Sequence, residues 1–164
     1  MKLPHTTMQV ALAGDVVCVR IAGPAGYNVS VDFKTLAGRC CEATGRALLL
    51  DLTQCVNMDS TFLGVLASLS QRTAQPIQLR NANVRIVSQL ENLGVMSFFK
   101  MLTGSDSPGT DWQPVESAQS PTRRQLGETS LEAHQTLMAL NPDNVARFKD
   151  VEQFLKESLQ CPPP

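Results

Sequence analysis

Residues 46–52, Arg-Ala-Leu-Leu-Leu-Asp-Leu, form an apolar run of strand length interrupted only by Asp51. A strand with one wet face shows a polar residue at every second position, and positions 47–50 show none. Such a strand must be covered on both faces, as in a sheet with helices packed against it. This points to an α/β domain in which helical crossovers join neighbouring strands.

The flanking segments supply the other parts. Residues 8–23 read as two short strands around Gly14-Asp15, a hairpin turn, with Val16, Val17, Val19 and Ile21 as strand formers. The turn-rich stretch Gly23-Pro24-Ala25-Gly26 follows. Phe33, Leu36, Ala37 and Cys40 or Cys41 recur at helical spacing over 31–44, and Gly45 suits the C-terminal cap. A second helix is expected over 61–73, capped by Asp59 or Ser60. A short strand is expected at 76–79, a third helix over 84–94, and a last helical turn with an edge strand over 96–102. The order to residue 102 is therefore β-β-α-β-α-β-α.

Composition shifts at Thr103. Residues 103–128 are dense in Gly, Pro, Ser, Thr and Gln and read as a flexible or surface-hugging linker. Trp112, the chain's single tryptophan, is expected to anchor that linker to the domain. Arg123-Arg124, the one adjacent basic pair, reads as solvated loop. Order returns over 129–160 as a two-helix extension. Thr129 and Glu132 have the spacing of a capping box, and Asn141-Pro142 that of a cap followed by a first helical proline. Val145, Phe148, Val151, Leu155 and Leu159 form an apolar stripe. It can dock on its own domain or on a second copy, which leaves room for a homodimer. Asp143–Arg147 and Glu152–Lys156 are favourable i,i+4 pairs, and Pro162–Pro164 end the helix.

A net charge of −1 without clustered Lys and Arg argues against nucleic acid as a partner. No apolar run approaches the ~20 residues that span a bilayer, and the first residues lack a leader pattern, so a cytoplasmic protein is expected. Five cysteines, Cys18, Cys40, Cys41, Cys55 and Cys161, fit no metal or redox spacing and read as reduced structural thiols. No metal and no cofactor is expected. His5 and His134 sit in no catalytic motif and read as surface residues.

Chemistry concentrates where the apolar strand meets the second helix, in Asp51-Leu-Thr-Gln-Cys-Val-Asn-Met-Asp59-Ser60-Thr61-Phe62-Leu-Gly. Asp51 as a phosphoacceptor would need a divalent cation held by further carboxylates, which the early strands do not provide. Ser60 as a nucleophile would need a histidine base and the glycines of a nucleophile elbow, which are missing. A third reading makes Ser60 a substrate. A helix N-terminus accepts a dianion without local unfolding.

Asp51-Leu52-Thr53, then Met58-Asp59-Ser60-Thr61 and Leu63-Gly64, resemble the signature of the STAS domain family of bacterial anti-sigma factor antagonists. The resemblance covers about residues 8–102. It implies a STAS-like mixed sheet with helices packed on it over 1–102; the C-terminal two-helix extension lies outside that basic domain. It implies a binding protein, not an enzyme, with no catalytic residue. Unphosphorylated, it would bind an anti-sigma factor serine kinase; phosphorylation at Ser60 would release the partner, and a cognate phosphatase would reset it. Asp59, Ser60, Thr61 and Phe62 would form the contact, with Asp59 assisting at the partner's active site or simply capping the helix. Phe62 stands where the family usually carries glycine, and Gly23–Ser30 lacks the family's usual acidic pattern. The alternative is a STAS-like scaffold or small-ligand subunit of a transporter or signalling complex, without a phosphoswitch.

Overall fold

The computed structural model describes residues 5–105, 111–116 and 119–161. Its first unit is the expected hairpin, β1 (Thr7–Ala13) and β2 (Val16–Ala25), antiparallel about Gly14. Gly14 has φ +62°, a left-handed turn conformation that costs glycine nothing. Helix α1 (Tyr27–Ala37) continues through a π-helical turn at Gly38–Glu42. Then come β3 (Ala47–Met58), α2 (Ser60–Ser70), β4 (Ile77–Arg80), α3 (Val84–Asn92) and, after one 3-10 turn, β5 (Phe99–Leu102).

The sheet order is β5-β4-β3-β2-β1-β6, where β6 is the two-residue strand Gln113–Pro114 on the outer edge of β1. Strands β2 to β5 run parallel, each joined to the next by a helix. The apolar run therefore lies in the middle: Leu48, Leu50 and Leu52 are fully buried and share one core with Phe33 and Phe62. At roughly 1.5–3 kcal/mol for each large side chain removed from water, this layer dominates the fold's favourable energy.

The segment between β5 and the C-terminal helices is partly fixed to the sheet. The Arg20 guanidinium lies 4.0 Å from the centre of the Trp112 ring, so Trp112 does anchor this stretch. The Val115 amide donates to the Met8 carbonyl beside β6.

Helix α4 (Arg123–Leu140) begins earlier than the sequence suggests. Its capping box is Thr122 with Gln125, which leaves Thr129 and Glu132 in mid-helix. Arg123-Arg124 is accordingly the first helical turn, with Arg124 paired to Glu128. Both boxes satisfy the Thr-x-x-Glu/Gln pattern; the upstream one wins because α4 then gains about two further turns, with Gly127 facing Leu159. Helix α5 (Asp143–Gln160) follows Asn141, whose side-chain oxygen accepts the Asp143 amide.

The pair docks on its own domain: α4 lies on α2 and α1, and α5 packs on α4. Ala133, Leu137 and Phe148 are buried in the seam. The expected stripe on α5 is only partly used. Val145 and Val151 remain 45% and 38% exposed because α5 is lodged by Asn144 and Phe148, rotated from that reading. Glu152 and Lys156 do pair, at 3.7 Å. The Pro162–Pro164 stop lies outside the described residues. Among the described residues no helix is long and apolar enough to cross a membrane.

Candidate functional site

Strand β3 ends at Met58, and Asp59 turns the chain into α2. Asp59 has extended backbone, and its two carboxylate oxygens are both used. One accepts the Phe62 amide at 2.9 Å, capping α2; the other accepts the Tyr27 amide at 2.7 Å, at the start of α1. One carboxylate thus fixes the N-termini of two helices relative to each other, and both ends favour its negative charge. Gly26 permits this approach, since a Cβ there would stand 2.7 Å from the Asp59 carboxylate.

Ser60 is the first residue of α2 and is half-buried beneath α4. His134, expected at the surface, is instead 3% exposed, and its Nε2 lies 2.8 Å from the Ser60 Oγ. Its Nδ1 lies 2.7 Å from the Ser130 carbonyl, which can only accept. Nδ1 therefore carries the proton, and Nε2 accepts the Ser60 hydroxyl. The ring is braced by Phe148 of α5, edge-on at 5.0 Å between centres. One turn away the Thr61 hydroxyl meets the Ser130 hydroxyl at 2.9 Å, both buried. Beyond them, a Cβ on Gly64 would stand 2.4 Å from the Ala133 carbonyl oxygen, so the two helices cross in near-contact there. His134 escaped sequence reading because nothing local marks it. Only its i−4 partner Ser130 and the apolar positions Ala133 and Leu137 place it on the inward face of α4.

Phe62 requires a correction. Its ring is 0% exposed and packs on Phe33 with centres 4.8 Å apart. It fills the core under α2 and offers no surface to a partner, because it lies on the buried face of α2 with Leu63, Leu66 and Leu69. Thr61 is likewise turned into the α2–α4 seam. Of the four expected contact residues, Asp59 alone is exposed and Ser60 half so.

Asp51 is a structural residue. It is 7% exposed, and its carboxylate accepts from the Thr53 amide at 3.1 Å, the Thr53 hydroxyl at 2.6 Å and the Arg20 Nε at 3.3 Å. Burial works to raise its pKa, but the Thr53 hydrogen bonds and the Arg20 guanidinium together outweigh it and hold the carboxyl below its ordinary value. Thr53 in turn accepts from Asn81, which also clasps Gly104. This network ties the middle of β3 to the C-terminal ends of β4 and β5. Among the described residues no group of three or more His, Cys, Asp or Glu could hold a metal ion. Burial pushes the Cys41 and Cys55 thiols up to about 11, so both are unreactive at neutral pH.

The STAS domain family matches residues 7–104. The chain belongs to the STAS domain family. The STAS domain thus ends before α4, and the helix that covers Ser60 lies outside the matched region. Among solved structures, the domain is similar to a Thermotoga maritima protein assigned as an anti-sigma factor antagonist. That similarity has a TM-score of 0.52 at 16% identity, over 58% of this chain and 85% of that one. The anti-sigma factor antagonist SpoIIAA in its unphosphorylated form is also similar, at a TM-score of 0.40 and 13% identity, over 61% of this chain and 89% of that one. No curated protein matches the chain.

Proposed function

We propose that this STAS protein is a bacterial, cytoplasmic regulatory binding protein of the anti-sigma factor antagonist kind, switched by phosphorylation at Ser60, and not itself an enzyme. The carrying observation is that Ser60 opens α2 directly after Asp59, whose carboxylate is held by amides of both α1 and α2. A partner serine kinase binds the unmodified protein. The Ser60 oxygen bonds to the γ-phosphorus of ATP, ADP leaves, and the hydroxyl proton passes to a base of the kinase. The new group adds about −1.5 to −2 charge beside Asp59, which drives the partner off by repulsion and desolvation. A phosphatase resets the protein. Homodimerisation through the C-terminal helices would use the open face of α5, where Val145, Val151 and Phe154 are exposed, since Leu137 and Phe148 are already buried on the home domain.

Incubation with an extract of the producing organism and ATP, followed by phosphosite mapping, tests this. Phosphate is expected at Ser60, with Ser60→Asp losing the partner that wild type and Ser60→Ala capture. Absence of phosphate at Ser60, or partner binding by Ser60→Asp equal to wild type, removes the switch. A second reading, a STAS scaffold or small-ligand subunit without a switch, is favoured by the engagement of the Ser60 hydroxyl with a buried histidine. Co-purification of a transporter component in place of a serine kinase would select it.

A further inference from the structure

We propose that α4 and α5 form a detachable cover over the N-terminus of α2, so that the half-buried Ser60 hydroxyl becomes free and fully accessible only when this helical hairpin lifts. The inference rests on the preceding reading for the identity of what Ser60 meets, but not for the cover itself.

Three contacts lie in one row along α2. His134 takes the Ser60 hydroxyl, Ser130 takes that of Thr61, and Ala133 seats on Gly64. The cover thus matches the two residues that a partner must read, using polar atoms where they are polar and a small residue where α2 has none to offer. At the far end Asn144, buried, and Asn141 donate to the Leu93 carbonyl and hinge the α4–α5 turn to the domain; the ion pairs nearer Ser60 are of a reversible kind. Glu132 bridges Lys34 at 2.7 Å and Arg72 at 3.6 Å, and all three side chains are more than a third exposed, so water competes for these pairs. The apolar seal is short: Leu137, Ala133 and Phe148 are buried, whereas Phe154 in the far half of α5 is 68% exposed. The cover lies outside the STAS domain and is tethered by the residues between β6 and Thr122.

A phosphate on Ser60 would compete with the His134 ring for the space at the Oγ in the closed arrangement. The space facing the Ser60 Oγ is filled by the His134 ring, itself backed by Phe148. Modification therefore holds the cover off until the phosphate is removed. The unmodified chain competes with its own partner for α2.

The full chain carrying Ser60→Cys, treated with a maleimide and followed by peptide mapping, tests the cover without any partner. The native thiols are internal references: Cys161 is exposed, and Cys18 and Cys55 are buried in the STAS domain. The introduced thiol is expected to react at least about tenfold more slowly than Cys161. Adding Ala133→Glu, which forces α4 off Gly64, is expected to bring it near the Cys161 rate while Cys18 and Cys55 stay protected. Should Ala133→Glu also expose Cys18 and Cys55, Leu137→Ala is read in its place by the same criterion. Reaction of the introduced thiol as fast as Cys161 with α4 intact, or no acceleration in the α4 variant, overturns the cover. That failure leaves phosphorylation at Ser60 standing, and an unphosphorylated Ser60 in the extract leaves the cover standing.

Discussion

The Ser60 hydroxyl donates to His134 Nε2 at 2.8 Å across 74 positions of sequence, joining the first residue of α2 to the inward face of α4. The imidazole is oriented by the Ser130 carbonyl one helical turn away and by the Phe148 ring. This bond makes the C-terminal hairpin part of the STAS domain's most distinctive surface.

Replacing His134 by alanine removes that acceptor and leaves a void against Phe148. The loss is expected to be about 1–3 kcal/mol, read as a lower urea midpoint. Hydrogen exchange should quicken in α4 and α5 before it does in β3. Uniform acceleration through the sheet would show that the hairpin does not open separately.

Gly64→Ala sets two effects against each other. Alanine gains about 1 kcal/mol of helix propensity within α2. Its Cβ, however, would stand 2.4 Å from the Ala133 carbonyl oxygen, a backbone atom that cannot swing aside. The steric term is expected to win, with a net loss of about 1–3 kcal/mol in chemical denaturation. A stabilised variant would mean that the helices do not cross at this point.

Phe62→Ala distinguishes a core ring from a surface contact. With the ring fully buried on Phe33, the cost is expected to be about 3–5 kcal/mol. The thermal midpoint reads this directly, and an unchanged midpoint would return Phe62 to the surface.

Asp51 predicts an acid dependence of stability. Its folded pKa lies below the unfolded value of 3.8, so its contribution is fully present above that value and is lost as pH falls through the folded one. Asp51→Asn should therefore be less stable than wild type at neutral pH, and the gap should narrow below pH 3.8. Denaturant midpoints of the two proteins across that range check the sign; a constant gap contradicts it.

A fluorophosphonate probe tests the non-enzymatic reading. Serine hydrolases are labelled at a nucleophile that lies open to a cleft lined with oxyanion donors. Ser60 has a histidine neighbour, but that neighbour arrives on the helix that lies over it. No labelling of Ser60 is expected, and stoichiometric labelling would sink the assignment as a binding protein.

The α/β order, the central strand at 46–52 and the helix start at Asp59-Ser60 were all legible in the residues themselves. Each is written in local terms: an apolar run without alternation, a turn at Gly14, a capping carboxylate before a helical repeat. The dominant interactions there lie within one turn or one strand pair. Three other features came from packing: His134 reaches Ser60, Phe62 faces the core, and α4 is capped at Thr122. A histidine with no motif acquires its partner only when two helices distant in sequence pack at Gly64 and Ala133. The direction of Phe62 follows from the packing of α2, which buries it together with Leu63, Leu66 and Leu69. The choice between two Thr-x-x-Glu/Gln boxes was made by the contacts that the longer helix could bury, a quantity that no single window of sequence contains.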